Sequence, residues 1–225
     1  MVTTRLHFER HGDSPSFVEV ENQGRVLVVS AGRLGSKGVN HLRPFDDEAA
    51  AAKAFIVQVN QLERKQFWAG HHAPELMAAI QARPDETGPY EVYADWLLER
   101  QDPRGALIVA QASGQAAHAA ELLNEHELML RPSRWASGAT LSWARGFLNE
   151  VAYTAAADAW RVRRLFRHPS AMVLRRVTLG PGADRFDEET WEQVLAHRPA
   201  SMRELRVPSG HRVLRLKIDG LRISA

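Results

Sequence analysis

Val26-Leu27-Val28-Val29-Ser30-Ala31-Gly32-Arg33-Leu34-Gly35-Ser36-Lys37-Gly38 joins an aliphatic run to a glycine-rich one, and the first half of the fold follows from that junction. Its first four residues are a continuous aliphatic run rich in β-branching, which predicts a central strand. The glycines that follow predict a bend. Working backwards, Leu6 and Phe8, then Val18 and Val20, alternate with polar neighbours at a period of two, as half-buried strands do. Asn22-Gln23-Gly24 supplies a turn between the second and third strands. Working forwards, a further strand is expected from about Val39 to Phe45. The period then changes: Phe45, Ala49, Ala52, Phe55 or Ile56, Val59 and Leu62 recur every three to four residues and predict an amphipathic helix. Asp46 is the expected N-cap, with Asp47 and Glu48 at the positive end of the helix dipole and Lys65 near the negative end. The unit reads as an antiparallel sheet with one helix packed on it.

The run Val29 to Gly38, the later Phe45, the acidic helix start and a helix ending near Lys65-Gln66-Phe67-Trp68 resemble the WGR domain over most of residues 5–69. In DNA-dependent poly(ADP-ribose) polymerases that family contacts DNA ends and neighbouring domains. Gly32, Arg33, Gly35 and Gly38 match its motif. The family's tryptophan does not, because Ala31 stands at that position. Stacking of a base on an aromatic ring contributes about 1–3 kcal/mol, and an alanine methyl offers no such face. The glycines are open to a purely structural reading, in which they serve backbone positions that other residues avoid. Ser36-Lys37-Gly38 lacks the Gly-Lys-Ser/Thr ending of a phosphate loop.

Residues 75–81 predict a short helix with Leu76, Met77 and Ile80 inward. Pro84-Asp85-Glu86-Thr87-Gly88-Pro89 is a turn cluster. The next helix carries Tyr93, Trp96 and Leu97 on one side. Asp102-Pro103 reads as an N-cap followed by proline at the first helical position, opening a helix with Leu107, Ile108 and Gln111. Glu75-Leu76, Ile80, Pro84-Asp85, Tyr93-Ala94-Asp95-Trp96-Leu97, Glu99, Asp102-Pro103-Arg104-Gly105, Ile108 and Gln111 resemble the repeat-companion domain of myxobacteria and planctomycetes. That domain often stands beside leucine-rich repeats, and the resemblance implies no chemistry. Ala106 departs from its common acidic residue. Asp95, Glu99, Asp102 and Arg104 are expected to be a cap and helix-surface charges. A further helix over 115–130 places Leu122, Leu123, His126 and Leu130 inward.

In the remaining chain one spacing returns. Leu148, Val151 and Tyr153 are followed 26 residues later by Leu174, Val177 and Leu179, and 28 residues after that by Met202, Leu205 and Val207. Helices are expected between them, around Trp160–Phe166 and Glu189–Leu195. The pattern resembles degenerate leucine-rich repeats without the consensus asparagine. Arg145-Gly146-Phe147, just before the first of these strands, is also typical of chains carrying the companion domain. A last strand through Val213, Leu214, Leu216 and Ile218 is too close for another rung and is expected to cap the sheet. The fold class expected is α+β: a WGR-like domain over 1–69, a helical domain over 74–130, and a small α/β leucine-rich-repeat-like solenoid over 131–225.

With 44% apolar and 25% charged residues in 225, a buried core is affordable. There is no cysteine, which removes disulfides, thiolate nucleophiles and cysteine-ligated zinc and fits a reducing cytoplasm. No apolar run of membrane-spanning length or apolar signal core is present, so neither a membrane partner nor export is expected. Residues 1–130 hold 12 Lys/Arg against 18 Asp/Glu, whereas 131–225 hold 17 against 9. That basic second half suits an acidic partner or nucleic acid, or is a solvated face. No metalloprotease, nucleophile-elbow or dinucleotide motif occurs. His71-His72 with Glu75 has only loose metal-like spacing, so the expectation is no catalytic residue, no metal and no cofactor. The expected function is non-catalytic binding of an unidentified protein partner, with DNA binding as the alternative and no small-molecule substrate. Candidate contact residues are Arg33, Lys37 and Arg43 in the first segment and Arg175, Arg176, Arg203 and Arg206 on the repeat-like strands.

Overall fold

The computed structural model describes residues 4–130, 138–154, 158–181, 183–207 and 220–224. The chain forms two compact units, residues 1–72 and 73–225.

In the first unit β1 (Thr4–Arg10), β2 (Ser16–Gln23), β3 (Val26–Arg33) and β4 (Val39–Pro44) form an antiparallel meander. The short strand β5 (Trp68–Ala69) adds to β1, giving the order β4-β3-β2-β1-β5. The sheet pleat places Leu6, Phe8, Val18, Val20 and Leu27 on one face, all buried. Helix α1 (Glu48–Arg64) packs there through Ala51, Phe55, Val59 and Leu62. Its N-cap is Asp47, not Asp46: the Asp47 carboxylate accepts the Ala50 N–H at 2.7 Å. Ala49 and Ala52 are exposed and Ala51 is buried instead, because Ala51 stands one i,i+4 step before Phe55 and so shares the face of Phe55 and Val59.

In the second unit α2 (Pro74–Ala82), α3 (Gly88–Leu98), α4 (Pro103–Ala112), α5 (Ala116–Glu125) and α6 (Glu127–Leu130) come first. The single helix expected over 115–130 is broken at His126. Ile80, Tyr90, Tyr93, Ala94, Leu97 and Ile108 form a core with Phe147, Met172 and Val173, and Leu76, Met77 and Trp96 are only partly buried against it. Asp102 caps α4 by accepting the Arg104 N–H at 3.0 Å, and Pro103 sits in the first turn as expected.

Arg104 corrects the reading of these charges as surface groups. It is 2% exposed. Its guanidinium donates to the Gly146 carbonyl and the Ser170 hydroxyl, both at 2.9 Å, and lies over the Phe147 ring. Gly146 returns a hydrogen bond from its N–H to Gln111 Oε1 at 2.7 Å. The Asp-Pro-Arg-Gly and Arg-Gly-Phe motifs are thus two halves of one buried polar network.

The second sheet contains β6 (Ala139–Ala144), β7 (Phe147–Tyr153), β8 (Arg176–Thr178), β9 (Glu204–Arg206) and β10 (Arg222–Ser224), in the order β10-β9-β8-β7-β6. β6 and β7 are an antiparallel hairpin, and β7 to β10 run parallel. Helix α7 (Ala159–Arg167) lies between β7 and β8 in the chain, and α8 (Glu188–Leu195) between β8 and β9. Val151, Val177, Leu205 and Ile223 occupy one lateral row. The three apolar triads read from the sequence, Tyr153 included, all enter one core with Val162, Leu165, Trp191 and Val194. The strand expected through Val213 to Ile218 lies outside the described residues. The fold is therefore mixed α/β: an antiparallel five-stranded sheet, a second mixed sheet, and helices. No helix among the described residues is long and apolar enough to cross a membrane.

Candidate functional site

Three of the residues singled out from the sequence belong to the β3–β4 hairpin. Residues 25–45 carry Arg25, Arg33, Lys37 and Arg43 and no carboxylate. This is a local cationic element in an otherwise acidic half. Arg33, Lys37 and Arg43 are exposed, and among the described residues none of them has a carboxylate partner. Strand β4 is the sheet edge and is exposed along its whole length. Val39 and Leu42 are 62% and 67% exposed there, although both stand in a strand. An edge of this kind presents unpaired N–H and C=O groups beside apolar side chains.

The glycines of the bend have mechanical reasons. A Cβ at Gly32 would sit 2.7 Å from both the Gly38 Cα and the Ser36 Oγ. Gly38 has φ +69°, and a Cβ there would meet the Phe17 ring at 2.8 Å. The two glycines let the ends of the bend close against each other. Ser36 then ties the turn by donating its N–H and its hydroxyl to the Arg33 carbonyl, at 3.0 and 2.8 Å.

The open face of the same sheet holds a cluster that the sequence reading passed over. His7, Glu9 and His11 alternate along and just beyond β1, so the pleat sends them to one side. The chain returns after β5 to bring His71 and His72 alongside. Glu9 is 4% exposed. Its carboxylate lies 3.0 Å from His7 Nε2 and 2.8 Å from His11 Nε2, and accepts the His72 N–H at 3.0 Å. Burial alone would raise the pKa of this carboxyl. The hydrogen bonds from His7 and His11 and the nearby His72 more than offset that, and hold it below the ordinary carboxylate range. The other ring nitrogen of His7, Nδ1, is 3.3 Å from Glu19 Oε1. The His71 ring stacks on the His7 ring at 4.2 Å, with planes 7° apart. A cavity of about 330 Å³ opens over this group, walled by Phe17 and by the Leu34-Gly35-Ser36-Lys37 turn.

In the second unit the four arginines named on the repeat-like strands lie among carboxylates and carbonyls. Arg175 is ion-paired with Asp85. Arg176 lies between Glu150 and Glu204 on the two neighbouring strands and pairs with both, and Arg206 pairs with Glu204. Arg203 donates to the Ala200 carbonyl. The parallel register sets Glu150, Arg176, Glu204 and Arg222 side by side, so acidic and basic residues alternate across the sheet. Hydrogen bonds from Arg206 and then Arg176 hold the Glu204 carboxyl below its ordinary range. The charge excess of the second half is thus partly neutralised where the strands meet. Arg145 and Arg175 are employed on the turn at 84–86, where Arg145 donates to the Pro84 and Glu86 carbonyls and Arg175 meets Asp85.

The sequence signal for the histidine cluster was available. His7-x-Glu9-x-His11 has the period of a strand face, and His71-His72 follows β5. The pairing that joins them, β1 with β5, involves only two residues of β5 and left no pattern to read. No protein-family model and no curated protein matches the chain. Among solved structures, a protein of Bacteroides fragilis aligns at 11% identity with a TM-score of 0.29, over 98% of this chain and 64% of that one. The chain thus spans under two thirds of that protein's length, and so distant a likeness does not establish a shared fold.

Proposed function

We propose that this is a non-catalytic interaction protein, with a WGR-like first unit and a repeat-like second unit, and that the β4 edge takes an extended acidic segment of a protein partner. One observation carries the reading: β4 is an edge strand exposed throughout, with Val39 and Leu42 bare, in a hairpin that has four cations and no carboxylate. Strand addition draws its affinity from main-chain hydrogen bonds and its selectivity from alternate side chains. The cations favour an acidic strand over a basic one. The repeat-like reading of the second unit is supported by apolar triads returning after 26 and then 28 residues, with their middle members in one lateral row.

A protein segment suits this hairpin better than duplex DNA. Ala31 stands where the WGR family has its tryptophan and supplies no stacking face for a base. Fluorescence anisotropy of a labelled, alternating Glu-Val peptide tests the proposal, with an alternating Lys-Val peptide as control. The Glu-Val peptide is expected to bind, and Leu42→Asp and Arg43→Glu are each expected to weaken it at least tenfold. Equal binding of both peptides, indifference to Leu42→Asp, or retention of duplex DNA by the same hairpin in place of the peptide would overturn it.

A further inference from the structure

We infer that His7, Glu9 and His71 form a binding site for a late first-row divalent metal ion, zinc in the first instance, with a fourth position open to the cavity. Each residue offers one ligand atom, and these atoms lie within 4.8 Å of one another. A tetrahedral ion with ligands at about 2.1 Å keeps them about 3.4 Å apart. Closing the site therefore draws the ligand atoms together by roughly 1 Å and reorients one imidazole ring. His71 is the residue that turns. It follows β5, outside any helix or strand, and must leave its stack on His7, because parallel rings cannot both aim a lone pair at one ion.

Four further features fit a metal rather than a hydrogen-bonded knot alone. The donor set is two imidazoles and one carboxylate, a combination that zinc accepts with one position left for water or an incoming ligand. His7 presents Nε2 toward Glu9 while Nδ1 faces Glu19. A histidine ligand usually donates its second ring N–H to such a carboxylate, which fixes its tautomer and orientation. All three ligands line the same cavity, so an ion has a route in and its remaining position faces open space. Glu9 itself is held from behind by the His72 N–H, which leaves it little freedom to swing away.

The experiment is isothermal titration of the tag-free full chain with zinc chloride, and separately with magnesium chloride, at pH 7.5. One zinc per chain is expected, with no magnesium binding, because nitrogen donors favour the softer ion. His71→Ala and Glu9→Gln should each weaken zinc binding at least tenfold, and His118→Ala, on an exposed surface of α5, should not. His71 lies outside any helix or strand, and far-UV circular dichroism checks that His71→Ala is folded. Zinc should also shift the His7 and His71 ring resonances together as their stack opens. Absence of a one-to-one zinc isotherm, or zinc binding undiminished in folded His71→Ala, overturns the inference.

Discussion

Gly146→Ala is the sharpest test of how the second unit is held together. Gly146 has φ +77°, and a Cβ there would lie 2.3 Å from Ile108 Cγ1 and 3.2 Å from its Cδ1. The residue has no easy escape, because its N–H is bound to Gln111 and its carbonyl to Arg104. A left-handed backbone with a side chain costs about 1–2 kcal/mol. Forcing extra volume into a packed core costs about 1–3 kcal/mol. The expected loss is their sum, about 2–5 kcal/mol. Gly114→Ala is the matched control in the same unit, with φ +70° and nothing within 4 Å of the added carbon. It should pay only the backbone cost of about 1–2 kcal/mol. Equilibrium urea unfolding, followed by tryptophan fluorescence and far-UV circular dichroism, measures both. Combining Gly146→Ala with Ile108→Ala removes the clash, so the two losses should fall short of additive by about 1 kcal/mol or more. If Gly146→Ala costs no more than Gly114→Ala, or the double variant is additive, the packing argument fails.

Asp47→Ala should cost about 0.5–2 kcal/mol in the stability of the first unit, by loss of the cap, while Asp46→Ala should change it by less than about 0.5 kcal/mol; thermal unfolding of the two variants decides which aspartate begins α1. Glu204 has its carboxyl held below the ordinary value of 4.5 by Arg206 and Arg176, so its contribution is complete above that value and is lost as pH falls through the lower folded-state pKa. Glu204→Gln should flatten the acid limb of the urea midpoint of the second unit, and an unchanged acid limb would refute the pairing.

Local chemistry made much of the architecture legible. Val18 and Val20 announced a strand because a pleated chain sends every second side chain one way, and both are buried. Phe55, Val59 and Leu62 announced the helix because 3.6 residues per turn align them. The triads at 148, 174 and 202 were readable because a buried row demands the same residue type at each return of the chain. Arg104 was misread because its sequence neighbours suit a helix surface equally well, and its partners Gly146 and Ser170 are 42 and 66 residues away.

Residue order alone carries the periods: which segments alternate, which turn helically, where glycine and proline interrupt them, and that a charged but cysteine-free chain can bury a core. Charge pairing and ligand geometry arise where the folded chain brings distant segments into register. Glu150, Arg176 and Glu204 neutralise one another across strands 26 and 28 residues apart, and His71 reaches His7 through a two-residue strand pairing. The physical reason is range. Periodicity is written by neighbours a few bonds apart, whereas an ion pair or a ligand set depends on the register in which distant segments meet.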